Sequence, residues 1–183
     1  WMENSNNRIF VPGLAPYQML ELNWSRDDIL KQINYTRNKA VQGQSYFRTE
    51  NVLSNTKGIL DSLFHYYEKP AKLPAMTWLS DSVPSQPNDL RAEISDLGLF
   101  QLSWQKPENA QRVTYNVYRS DTSSLSTSDS DLLLATGLRD TIFEYIPEKD
   151  DKAYYYYVTT SDSFNNESDI CFPAFFYHSD TIK

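Results

Sequence analysis

The sequence predicts two segments of different class: an α/β segment with parallel strands over residues 1–82 and an all-β sandwich over residues 83–183. Three observations predict this. Apolar residues recur at helical spacing in the first segment and alternate with a period of two in the second. Between them "WLSDSVPSQPNDL" (78–90) sets Pro84 and Pro87 among Ser, Asp and Asn, the composition of a linker. Charge also divides there: nine Lys/Arg stand against eight Asp/Glu up to Ser82, and eight against sixteen after it.

In the first segment "RIFVPG" (8–13) is a short apolar run closed by Pro12 and Gly13, as a buried parallel strand would be. A polar and aromatic connection, "LAPYQMLELNW", follows. "SRDDILKQINYTRNK" opens a helix with Ser25 as N-cap, Asp27 and Asp28 at the positive end of the dipole, and Ile29, Leu30 and Ile33 as the buried stripe. "VQGQSYF" (41–47) reads as the second strand. The second helix is expected over 55–68, with Ile59, Leu60, Leu63, Phe64 and Tyr67 on one face, ending before Pro70. Two βα units in a row predict parallel strands, yet two such strands cannot cover both faces of a sheet. The segment therefore reads as part of something larger.

The second segment reads as seven strands, at 90–95, 99–104, 113–119, 131–136, 141–146, 153–161 and 168–177, which is the pattern of a β-sandwich. "VTYNVYRS" and "AYYYYVTTSD" alternate most clearly. In the latter, Tyr154 and Tyr156 should share one face and Tyr155 and Tyr157 the other. "SDTSSLSTSDSD" (120–131) reads as a polar loop with no sign of function.

Composition excludes several functions. Hydrophobic residues make up 40% and charged residues 22%, as in globular proteins, and aromatic residues reach 14%. No apolar run approaches the ~20 residues of a membrane span. Cys171 is the only cysteine, so there is no intrachain disulfide and no Cys-based metal site. His65 and His178 stand far apart, against a His-rich metal site or a Ser–His or Cys–His nucleophile. The net charge of −7 argues against nucleic acid as a partner. No cofactor is demanded by these residues. The chain opens at Trp1 rather than Met, which points to a longer protein upstream, including any export signal.

From Leu90 to about Tyr177 the chain resembles a fibronectin type III domain: Trp104 in "FQLSW", "TYNVYRS" and "YYYYVTTSDSFNNES" match its second, third and sixth strands. From Ile9 to about Leu79 it resembles the C-terminal part of the glycosyl hydrolase-like 10 family through "IFVPGLAPYQ", "ILKQINYTRN", "VQGQSYFRTENVLSN" and "YYEKPAKLPAMTWL". Members of that family are (β/α)8 barrels. The resemblance implies that the chain supplies the last two βα units and the exit from the barrel, with the other strands upstream. It also implies a bacterial, exported protein acting on a polysaccharide or cell-wall glycan.

Glycoside hydrolysis generally requires two carboxyl groups, about 5–5.5 Å or 6.5–9.5 Å apart. Glu21, in the first βα loop, and Glu50, just past the second strand, are near the positions where a barrel binds substrate. Each has a plainer alternative, as a solvated loop residue and a helix N-terminal residue. The resemblance implies that the catalytic pair lies on earlier strands, so no catalytic residue is assigned. Sugars stack on flat rings and bond to polar groups. This selects Tyr17, Trp24, Phe47, Arg48 and Trp78 as candidate substrate-binding residues. The alternatives are core packing for Phe47, an ion pair with Glu50 or Asp27 for Arg48, and packing at the segment boundary for Trp78.

The expectation is a C-terminal fragment of a glycoside hydrolase, inactive by itself, whose partners are a glycan and the barrel strands it lacks. The rival is a non-catalytic module that binds carbohydrate or protein.

Overall fold

The computed structural model of the chain describes residues 6, 8–39, 41–108, 110–146 and 152–178, which fall into two compact units, Trp1–Glu68 and Lys69–Lys183. The division precedes the Ser82/Val83 boundary drawn from composition, because the proline-rich run bonds within the second unit. The Met76 N–H donates to the Phe164 carbonyl at 2.8 Å. The side-chain amides of Asn165 and Asn166 donate to the carbonyls of Pro74 and Ser80.

In the first unit, β1 (Gly13–Leu14) and β2 (Ser45–Tyr46) pair in parallel, Gly13 with Ser45 and Leu14 with Tyr46. Of the expected strand over 8–13 only Gly13 falls in the paired strand, although the Phe10 and Pro12 carbonyls accept the N–H groups of Gln42 and Ser45. Pro12 has no N–H to donate, and the Phe10 N–H goes to the Gln42 side chain at 2.9 Å. Helix α1 (Gln18–Glu21) follows β1 inside what reads as a loop. Helix α2 (Arg26–Asn38) begins one residue after its cap: the Asp28 N–H donates to Ser25 Oγ and the Ser25 N–H to Asp28 Oδ2, a reciprocal capping box. The side-chain and backbone bonds from Ser25 hold the Asp28 carboxyl below the usual aspartate range.

After β2 come a short helix, α3 (Thr49–Leu53), a 3-10 turn at Thr56–Gly58, and α4 (Ile59–Tyr66). The expected helix over 55–68 starts only at Ile59. Asn55, Lys57 and Gly58 have φ of 52°, 51° and 77°, left-handed values that a helix cannot contain. Asn55 Oδ1 instead accepts the Leu60 N–H, in the first turn of α4. Leu14, Met19, Ile29, Ile33, Ile59 and Leu63 form the buried core, with Trp24, Leu30, Tyr46, Val52 and Tyr66 packed against it. Ile9 and Val11 stay outside it, 37% and 45% exposed.

The second unit is an antiparallel β-sandwich of two sheets. A three-stranded sheet runs β3 (Asn88–Ile94), β4 (Phe100–Gln105), β7 (Ile142–Tyr145). A four-stranded sheet runs β6 (Leu133–Leu138), β5 (Thr114–Ser120), β8 (Lys152–Ser161), β9 (Ala174–His178). All pairs are antiparallel. Phe100, Leu102 and Trp104 of the first sheet meet Tyr115, Val117, Tyr156 and Val158 of the second, with Cys171 beside them. Strand β9 begins at Ala174 rather than 168. Residues 168–171 instead bond to β8 irregularly, with the Ser168 and Cys171 N–H groups on the carbonyls of Thr160 and Val158. Cys171 Sγ accepts the Val158 N–H, and burial pushes its thiol pKa up.

The tyrosine run alternates as expected, but Tyr157 is buried as fully as Tyr156. Leu125 and Leu132, from the polar loop and its end, pack with Tyr118, Leu133 and Tyr157 in a second small core outside the sheet. The loop is therefore an anchored cover, which its polar composition concealed. Among the described residues no helix is long and apolar enough to cross a membrane.

Candidate functional site

The parallel pair ends at Leu14 and Tyr46, and the residues just beyond converge. From the first loop, Tyr17 presents its ring edge to the Phe47 ring, with centroids 5.5 Å apart and planes at 85°. The Arg48 guanidinium lies 5.4 Å from the Tyr17 centroid and 5.8 Å from that of Phe47. Its Nη2 is 3.4 Å from Glu21 Oε1. Phe47 is 61% exposed, so it is not core. Gln18 Nε2 donates to the Tyr17 hydroxyl at 3.0 Å, while its buried Oε1 has no partner.

Arg48 thus pairs with Glu21 rather than with Glu50 or Asp27. The pair is about half exposed, and such pairs add at most about 1 kcal/mol to stability. Its consequence is positional. It holds a cation and a carboxylate beside two rings at the carboxyl end of parallel strands, where α/β folds bind ligands. Rings offer faces to sugar C–H bonds, and the charged groups offer hydrogen bonds to hydroxyls.

The remaining candidates lie elsewhere. Trp24 is half-buried against the first core, and its carbonyl accepts a bond from Lys57 Nζ at 2.8 Å, so it braces the loop. Glu50 occupies the first turn of α3, where a negative charge suits the helix N-terminus. Trp78 belongs to the second unit, in the turn at 77–79. Among the described residues no three His, Cys, Asp or Glu side chains gather as metal ligands would.

A second constellation was not anticipated. Glu167, in the turn after β8, accepts bonds at Oε1 from Asn116, Tyr118 and Thr159, and at Oε2 from Lys72 Nζ at 2.6 Å. Lys72 also donates to the Thr127 carbonyl at 2.7 Å. Burial pushes the Glu167 carboxyl up, but the bonds from Lys72, Thr159, Tyr118 and Asn116 outweigh it, and its pKa lies below the usual glutamate range. Burial, with the bond to Glu167, pushes the Tyr118 hydroxyl pKa up. With every carboxylate oxygen engaged, this is a clasp rather than a reactive group. Its donors come from three separate stretches of chain, so only the alternation of β5 and β8, which puts Asn116, Tyr118 and Thr159 on one face, hinted at it.

No family model matches the chain. At the level of fold, it is similar over 51% of its length to an Fn3-like protein from Clostridium thermocellum, with 26% identity, 92% of that chain covered and a TM-score of 0.42. An alpha-L-rhamnosidase from Dictyoglumus thermophilum matches 51% of the chain, at 22% identity over 12% of its own length, with a TM-score of 0.38. In sequence, the chain is 30% identical over 184 residues to the protein named glycosyl hydrolase YngK of Bacillus subtilis strain 168. That alignment takes in 92% of this chain and 35% of the relative, so the chain spans about a third of the relative's length.

Proposed function

We propose that this chain is the C-terminal part of an exported bacterial glycoside hydrolase, in which the first unit supplies the last two βα units of a (β/α)8 barrel. In this reading Tyr17, Phe47 and Arg48, with Glu21, line the glycan cleft, and the sandwich braces the enzyme. The observation that carries it is the convergence of those four side chains at the carboxyl ends of two parallel strands. The similarity to a glycosyl hydrolase over 92% of the chain supports it, as does the exposure of Ile9 and Val11, which a neighbouring barrel strand would cover. The catalytic carboxylates then lie outside this chain, which by itself hydrolyses no glycan.

The rival, a self-sufficient binding module, draws on the six-residue core that the first unit already encloses. The intact mass of the native gene product separates the two. A product heavier than 21.3 kDa by about 25 kDa or more, the mass of roughly six further βα units, supports the enzyme. A product near 21.3 kDa removes the barrel. Within the heavier protein, Phe47→Ala and Arg48→Gln should each raise KM for its glycan about tenfold, the loss of a stacking or charge-assisted contact. Unchanged kinetics in both would remove these residues from the cleft.

A further inference from the structure

The second unit contains a cleft of about 670 Å³ between the extended run 71–75 and the outer face of the four-stranded sheet. That is within the span of about 300–1,000 Å³ typical of small-molecule sites. Its floor is settled chemistry. Glu167 is fully engaged, as described, and the two N–H bonds of the Asn116 amide have Thr159, Ser161 and Glu167 within reach as acceptors while its oxygen accepts from Thr136. The walls are different. Arg112, Thr114 and Ser163 also line the cleft, and none of their side chains has a hydrogen-bond or ion-pair partner among the described residues. One guanidinium and two hydroxyls are thus left unpaired around the cavity, whereas the Asp162 carboxylate, which also lines it, accepts bonds from the Phe164 and Asn166 N–H groups and the Asn166 side-chain amide.

We propose that this cleft binds a short polyhydroxylated ligand with one negative charge, an acidic mono- or disaccharide of the uronic type. Arg112 would take the carboxylate in the bidentate geometry that guanidinium favours. The Thr114 and Ser163 hydroxyls, each donor and acceptor, match sugar hydroxyls. Among the described residues no aromatic ring lines the cleft, so recognition is through hydrogen bonds and charge rather than stacking. The site lies entirely in the second unit and does not depend on the glycan reading of the Tyr17 cluster.

The test is an NMR titration of the 15N-labelled 183-residue chain with D-glucuronate, D-glucose and inorganic phosphate. Saturable glucuronate shifts at amides 112–114 and 161–165, with glucose weaker and phosphate without saturation, are the expected result. Arg112→Gln should weaken glucuronate about tenfold or more, the value of one charge-assisted interaction, and Thr114→Val should weaken it less. Both variants should keep the wild-type spectrum outside the cleft, since Arg112 is exposed and valine matches threonine in shape. The proposal is overturned by any of three outcomes: no saturable shift, glucuronate affinity unchanged in both variants, or phosphate binding as well as glucuronate. Shifts confined to residues 14–21 and 45–48 would likewise overturn it while leaving the first-unit reading in place.

Discussion

The first unit gathers six buried apolar side chains between one parallel pair and its helices, whereas the second closes two antiparallel sheets over eight. In the sandwich each sheet covers the other's inner face, and large residues such as Phe100, Tyr115 and Tyr156 disappear from solvent. Among the described residues the first unit has the parallel pair as its one sheet, and Ile9, Val11 and Phe47 remain partly in water. Antiparallel hairpins complete a core within about a hundred residues, while parallel strands need cover from elements that come from elsewhere in a longer fold. The same chain thus carries a closed architecture next to an open one.

The largest expected effect tests that closure. Phe100 contacts the rings of Tyr145, Tyr156, Phe176 and His178, so Phe100→Ala should cost the second unit about 4 kcal/mol. Urea unfolding followed by amide resonances should show β4 and β8 melting early while residues 26–38 keep their midpoint. A simultaneous loss in both regions would mean that the units fold as one.

Next is the clasp. Glu167→Ala takes the carboxylate acceptor from the Tyr118 and Thr159 hydroxyls, removes one acceptor each from Lys72 and Asn116, and should cost about 3 kcal/mol. Because the folded-state pKa of Glu167 is depressed, its contribution is present above the ordinary glutamate value of 4.5 and is lost as pH falls through the lower folded value. Wild-type stability of the second unit should therefore decline below that pH, and the variant should decline less. Equal slopes would show that other carboxylates govern acid unfolding.

The smallest effect belongs to the open unit. Ser25→Ala breaks the capping box of α2 and should cost about 1 kcal/mol, seen as faster amide exchange at residues 26–29 with the sandwich unchanged.

How far this was legible depended on the range of the interactions. Strands β4, β5 and β8 lie within a residue of their expected limits, since period-two alternation records a two-faced sheet directly. The cap at Ser25 was equally local. The start of α4 was missed because Asn55, Lys57 and Gly58 adopt left-handed conformations inside an apolar period that reads as continuous helix. At the candidate site, Tyr17, Phe47 and Arg48 were visible as strand-end residues, but the Arg48–Glu21 pair joins two loops that no local pattern links. Trp24 and Trp78 were chosen for their rings, and ring type alone does not show that Trp24 packs against the first core. Glu167 stayed hidden for the opposite reason, since its donors are spread from Lys72 to Thr159.

The lacing of residues 69–80 onto the sandwich also has a mechanical side. Lys69 bonds to Asp131, Lys72 to Glu167 and Thr127, Pro74 to Asn165, Met76 to Phe164 and Ser80 to Asn166, all ahead of β3. A pull on the chain at Lys69 therefore meets a series of side-chain and turn contacts before it reaches any strand of a sheet. The load passes into the turn after β8, next to the middle of the four-stranded sheet, and the edge strand β3 is shielded from peeling until those contacts give way.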